Sequence, residues 1–172
     1  LIYYINKNYL EAIKFIKKAI KINSNNASLH SDHGVILYQF SKFESALKSY
    51  DKAIEIRPDY AEAYNNRGIA LEELEQLDAA IASYNKAIEI KPNYVEAYIN
   101  LGNILLKIEK LDAAIESYEK AIKIKSDLDF VPGSLIRAKL KLCDWKSFNE
   151  DLIKIEEDII KGNKSLAPFS SL

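Results

Sequence analysis

Apolar and polar positions along this chain repeat every 34 residues. Ala27–Tyr60 reads ASLHSDHGVILYQFSKFESALKSYDKAIEIRPDY, Ala61–Tyr94 reads AEAYNNRGIALEELEQLDAAIASYNKAIEIKPNY, and Val95–Leu128 reads VEAYINLGNILLKIEKLDAAIESYEKAIKIKSDL. Within each unit the apolar residues recur at helical spacing, interrupted once, so each unit predicts two helices of about 13 residues. The first helices are expected near 28–40, 62–74 and 96–108, the second near 44–56, 78–90 and 112–124. Asp78 and Asp112 stand before apolar periodicity and read as N-caps. Pro58 and Pro92 stop the chain from continuing as helix into the next unit. In the third unit Ser126 takes that position.

Small residues sit at fixed offsets. Gly34, Gly68 and Gly102 fall inside helices, where glycine costs about 1 kcal/mol relative to alanine. A cost repeated at one position implies close approach of the paired helix. Ala46, Ala80 and Ala114 are expected to serve the same contact from the facing helix, and Ala53, Ala87 and Ala121 to lie where the next unit docks. Tyr50, Tyr84 and Tyr118 recur with the period, as do Ile56, Ile90 and Ile124, and both sets read as core. The period and these offsets resemble the tetratricopeptide repeat, a helix-turn-helix unit. The resemblance implies an all-α solenoid, wound as a right-handed superhelix, in which each unit touches mainly its neighbours.

The ends depart from the period. Residues 1–26 read as a partial repeat, with a stub of first helix at Leu1–Ile5 and a second helix at Tyr9–Ile22. The opening LIYYINKNYL lacks Met and already lies inside a repeat, so the chain reads as a piece of something longer. Ile2, Tyr3 and Ile5 would form an apolar end suited to a second copy, a homodimer. After Leu128, residues 129–162 predict a divergent capping pair. One helix opens at Pro132 and runs to about Leu142. The other, capped by Asp144, spans about Trp145–Lys161 and ends at Gly162. Residues 163–172 read as an extended tail leading to a missing downstream region.

Composition narrows the function. A net charge of −1 argues against a nucleic-acid footprint, which needs a basic face. The lone Cys143 excludes an internal disulfide, and no Cys/His set has metal-ligand spacing. His30 and His33, three apart, lack a third ligand and read as packing residues. The chain shows no catalytic constellation, no cofactor signature and no metal site. No apolar run approaches the roughly 20 residues that span a bilayer and no stretch reads as a leader peptide, so a cytoplasmic protein without membrane contact is expected. The candidate partner is a polypeptide.

In the tetratricopeptide family the first helices line a concave groove. That resemblance assigns the groove to Ser28, Ser31, Asp32, Val35 and Gln39, to Glu62, Asn65, Asn66, Ile69 and Glu73, and to Glu96, Ile99, Asn100, Asn103 and Lys107. The sharpest candidates are Asp32, Asn65, Asn66, Ile69, Asn100 and Asn103. Asp32, Asn66 and Asn100 share one offset, and an amide carries both a donor and an acceptor for an extended peptide backbone. Ser31, Asn65 and Ile99 stand where a carboxylate-clamping domain would carry lysines, and Asp32 and Glu62 would repel a terminal carboxylate. Arg67, where the next unit has Leu101, is expected to pack its stem and lift its head to solvent.

A second resemblance lies at the end of the array. VPGSLIRAKLKLCDWKSF, with Leu142, Cys143, Asp144 and Trp145, then a charged helix and Pro168-Phe169, resembles the junction in bacterial relatives of O-linked N-acetylglucosamine transferase. The Asn66/Asn100 column matches that family's asparagine ladder, with Asp32 a departure at the first rung. The resemblance implies repeats that recruit polypeptide acceptors to a transferase region, none of whose machinery is in this chain. The competing reading is a free-standing scaffold or adaptor with no enzyme attached.

Overall fold

The computed structural model describes residues 2–142 and residue 153, and the side chains from residue 9 onward. Among the described residues the secondary structure is entirely helical: α1 (Ile2–Ile22), α2 (Ala27–Gln39), α3 (Phe43–Ile56), α4 (Ala61–Glu73), α5 (Leu77–Ile90), α6 (Val95–Lys107), α7 (Leu111–Ile124) and α8 (Val131–Lys141). The chain divides into two compact units, Leu1–Pro92 and Asn93–Leu172. In the first, α2 pairs with α3 and α4 with α5, while α1 packs on α2 and α3 on α4. In the second, α6 pairs with α7, against which α8 packs.

Each paired contact is a glycine facing a tyrosine ring. A Cβ placed on Gly34 would lie 2.5 Å from Tyr50 Cε1, on Gly68 2.5 Å from Tyr84 Cε1, and on Gly102 2.6 Å from Tyr118 Cε1. The atoms nearest each glycine are therefore those of the tyrosine ring, with Ala46, Ala80 and Ala114 on the same facing helices. Those alanines, and Ala53, Ala87 and Ala121, are fully buried. Each pair thereby buries a large aromatic body, Tyr50, Tyr84 or Tyr118. Ile56 and Ile90, by contrast, are only half-buried, and Ile124 is 40 % exposed. Standing on the last turn of its helix, each reaches the edge of the pair and no further, so these three are not core.

The turn inside each repeat is a Schellman motif built without glycine. After α4, Gln76 N–H donates to Leu71 O and Glu75 N–H to Glu72 O, both at 2.9 Å. The same bonds run from Lys42 to Leu37 and Ser41 to Tyr38, and from Lys110 to Leu105 and Glu109 to Leu106. Ser41, Glu75 and Glu109 take φ of 55°, 57° and 60°, a left-handed conformation normally given to glycine. The turn delivers the chain straight into the next helix. The second helices consequently start one residue before the expected caps, with Gln76 and Lys110 at the N-cap positions and no side-chain cap bond. Asp78 and Asp112 lie in the first turn, where a carboxylate still favours the helix dipole.

Other boundaries follow the pattern closely. Asn26 caps α2 by accepting from Ser28 and Leu29 N–H. Pro58 and Pro92 follow the ends of α3 and α5, and α7 stops at Ile124 without a proline, its cap N–H on Lys125 returning to Ala121 O. Pro132 occupies the first turn of α8, which follows Phe130 at φ 62°. The expected break between Leu1–Ile5 and Tyr9–Ile22 is absent. No Gly or Pro lies between them, and α1 runs unbroken. The Trp145–Lys161 helix, the Gly162 stop, the tail and the side chains of Ile2, Tyr3 and Ile5 lie outside the described residues, apart from a helical Ile153.

Candidate functional site

On an α-helix, residues at i, i+4, i+7 and i+11 share one stripe. On α2 that stripe is Ser28, Asp32, Val35 and Gln39, on α4 Glu62, Asn66, Ile69 and Glu73, and on α6 Glu96, Asn100, Asn103 and Lys107. All twelve are half-buried or exposed. Of the sharpest candidates, Asp32 and Asn103 are exposed, and Asn66, Ile69 and Asn100 are half-buried. The stripe thus presents itself within each unit: Asp32, Asn66 and Ile69 in the first, Asn100 and Asn103 in the second.

Asn65 does not belong to it. The residue is only 4 % exposed, and Ser31 at the equivalent offset only 3 %. Each lies three residues before the glycine that receives the tyrosine ring, so it faces the helix pair rather than solvent. The groove candidates therefore lose Asn65, while Asp32, Asn66 and Asn100 stay on the stripe.

Tyrosine hydroxyls reach the neighbourhood of this stripe from behind. Tyr84 donates to Glu72 Oε1 at 2.5 Å, Tyr118 to Asn103 Oδ1 at 2.8 Å, and Tyr38 on α2 to Glu73 Oε1 on α4 at 3.0 Å. Asn103 is thereby tethered through its Oδ1 while the residue stays exposed. Burial pushes the Tyr118 hydroxyl up to about 12. Burial likewise raises Tyr84, reinforced by Glu72, and Tyr50. These rings stay neutral and hold the face behind the stripe rigid. Glu62 is the stripe's ion-paired member, 3.0 Å from Lys91 Nζ. Burial works to raise its carboxyl, yet its own backbone N–H and Lys91 hold it below the ordinary carboxylate value.

The neighbouring offset carries polar chemistry that the sequence did not disclose. Ser49, Ser83 and Ser117 are buried, each donating to the carbonyl four residues back. Arg67 does not lift its head to water. Its Nε donates to Asp51 Oδ1 on α3 and its Nη1 to Ser83 Oγ on α5, both at 2.7 Å, so it ties consecutive repeats together. At the same offset His33 Nδ1 lies 3.0 Å from Ser49 Oγ, while Leu101 has no polar head. His30 instead bonds Ser24 O through Nε2 at 2.9 Å. The described residues contain no group of three or more His, Cys, Asp or Glu placed to hold a metal, and no described helix is long and apolar enough to cross a membrane.

Comparison with known proteins supports this architecture. Family profiles for the "TPR repeat" match residues 34–75 and 72–109, and those for the "Tetratricopeptide repeat" match 95–128 and 1–26. No curated protein is matched. Among solved structures the chain is similar to "Crystal structure of MamA", with 28 % identity over 90 % of this chain and 92 % of that one and a TM-score of 0.78. It is also similar to MamA 41-end from Desulfovibrio magneticus RS-1, with 22 % identity, 89 % and 86 % coverage and a TM-score of 0.78. The first TPR of Spaghetti (RPAP3), bound to HSP90 peptide SRMEEVD, has 21 % identity, 71 % and 97 % coverage and a TM-score of 0.68. With its repeating helix pairs, its glycine–tyrosine contacts and these matches, the chain belongs to the tetratricopeptide repeat family.

Proposed function

We propose that the first-helix stripe binds an extended polypeptide. The observation that carries this reading is the partly exposed amide of Asn66 between exposed Asp32 on α2 and half-buried Ile69 one turn on. Asn66 offers a donor and an acceptor to a peptide bond, Asp32 an acceptor, and Ile69 a contact for an aliphatic side chain. Asn100 and Asn103 add amide side chains to the stripe of the second unit. Carboxylates of Asp32, Glu62 and Glu73 line the stripe on α2 and α4, and Lys91 pairs with Glu62. The charge favours a neutral or basic segment. The peptide seen on the Spaghetti domain is rich in acidic residues, and a segment of that kind is a poor fit here.

The test is a displayed peptide library panned against the purified protein, followed by calorimetric titration of the recovered peptides. Enrichment of Lys- or Arg-containing segments that bind wild type and lose affinity in Asp32→Ala/Asn66→Ala supports the reading. Recovery only of peptides indifferent to both substitutions refutes it.

The finer reading is that the bound polypeptide is the acceptor of an O-linked glycosyltransferase in the same parent chain. The Leu142–Trp145 junction and the Asn66/Asn100 column support it. The coding sequence beyond Leu172 decides: a transferase region there sustains it, whereas a stop codon or an unrelated domain leaves a scaffold or adaptor that binds without an enzyme.

A further inference from the structure

The offset that carries Arg67 in one repeat carries His33 in the repeat before it, and the two meet opposite charges. Arg67 pairs with Asp51 on the preceding helix, α3. One period earlier the corresponding pair is His33 and Lys17 on α1. Lys17 bears on the His33 ring as a like charge, together with His30 on α2, while α3 supplies only the Ser49 hydroxyl. The charges that bear on the ring are these two, and no carboxylate of α2 or of the helices packed on it, α1, α3 and α4, is among them.

Hydrogen bonding fixes the neutral tautomer. Ser49 Oγ spends its proton on Ser45 O at 3.1 Å, so it accepts from His33 Nδ1–H. Nε2 is then the bare nitrogen, buried and without a hydrogen-bond partner among the described residues. A bare lone pair is tolerable there. A proton on Nε2 would bury an unpaired N–H beside Lys17, and an unsatisfied buried donor is costly.

We propose that His33 is an acid-sensitive latch for the N-terminal helix: it admits α1 while neutral and expels it when protonated. α1 packs Ile13 against the apolar cluster of Leu37, Ala46, Tyr50 and Ala70 and sets the Tyr9 ring, tilted, against Phe40 with centroids 4.0 Å apart. Release of α1 uncovers that surface next to the stripe of α2. The sign follows from the lowered basicity of His33, which burial causes first and Lys17 and His30 reinforce. The neutral ring is favoured in the docked state, so docking is at full strength above the ordinary histidine value and weakens as pH falls below it. One proton gives at most about a tenfold loss per pH unit.

Hydrogen exchange of α1 amides in the full chain, corrected for intrinsic rates, tests the latch at pH 7.5 and 5.0. Wild type should lose protection in α1 several-fold on acidification while α4 and α5 change less. His33→Leu, which copies Leu101, should abolish the difference. Lys17→Asp, which copies Asp51, should reverse it, because protonated His33 then gains a partner. His30→Asn should leave it in place. An equal acid response in His33→Leu, no change of sign in Lys17→Asp, or loss of the response in His30→Asn would each overturn the proposal.

Discussion

Two neighbouring offsets of the repeat behave in opposite ways. Glycine and its facing tyrosine are identical in all three helix pairs, with the same approach of about 2.5 Å from a hypothetical Cβ to the ring. Two residues earlier, at the stripe, the series is Asp32, Asn66 and Asn100, and three residues further on it is Val35, Ile69 and Asn103. The first offset repeats because a ring can fill that space in only one way. The second varies because its members are half-buried or exposed, where packing constrains the side chain less than at the glycine. Recurrence alone therefore does not locate function, and recurrence with burial identifies packing.

The widest effect should come from the buried tyrosines together. Each hydroxyl is raised chiefly by burial, so the unfolded chain ionises first. Stability is intact below about pH 10 and falls above it, by up to about 1.4 kcal/mol per pH unit for each ring. Far-UV circular dichroism in urea at pH 9 and 11 should show the midpoint dropping, and Tyr84→Phe should soften the drop. A midpoint indifferent to pH would mean that the rings are less enclosed than their contacts imply.

Next in size is Gly68→Ala. The added methyl overlaps the Tyr84 ring, which has no exposed side to retreat to. A net loss of about 2 kcal/mol in urea unfolding is expected even though alanine favours the helix. Glu75→Gly should do the reverse. It relieves a left-handed residue at 57° and should stabilise by about 0.5–1 kcal/mol. Smaller still is Arg67→Leu, which copies Leu101. Ser83 keeps its bond to Ala79 O and the lost Asp51 pair is partly exposed, so less than about 1 kcal/mol should be lost.

These magnitudes match what could and could not be read from the chain. The period, the glycine offset and the boundaries of α2 to α8 within about one residue were legible because they depend on local pattern, whereas the unbroken α1 was not. The occupant of the glycine contact was not, since Tyr84 lies sixteen residues away and sequence spacing does not say which side chain crosses a pair. Asn65 was misjudged because it looks as polar as Asn66. Its distance of three from Gly68 was the available signal. The turns at Ser41, Glu75 and Glu109 hid because their left-handed residue is not glycine. Arg67 hid because its partners come from two other helices. The stripe itself was legible from helical phase, but the contact that tethers Asn103 was not.

The division between packing and recognition comes to a head at Asn66 and Gly68, two residues apart on α4. The deciding measurement is calorimetric affinity for a recovered peptide alongside urea stability, on wild type, Asn66→Ala and Gly68→Ala. Asn66→Ala should bind about tenfold more weakly, a loss of one well-placed pair of hydrogen bonds, while its stability falls by less than about 1 kcal/mol. Gly68→Ala should lose stability and, while still folded, keep its affinity. Unchanged affinity in Asn66→Ala, or stability lost there as heavily as in Gly68→Ala, would contradict the account.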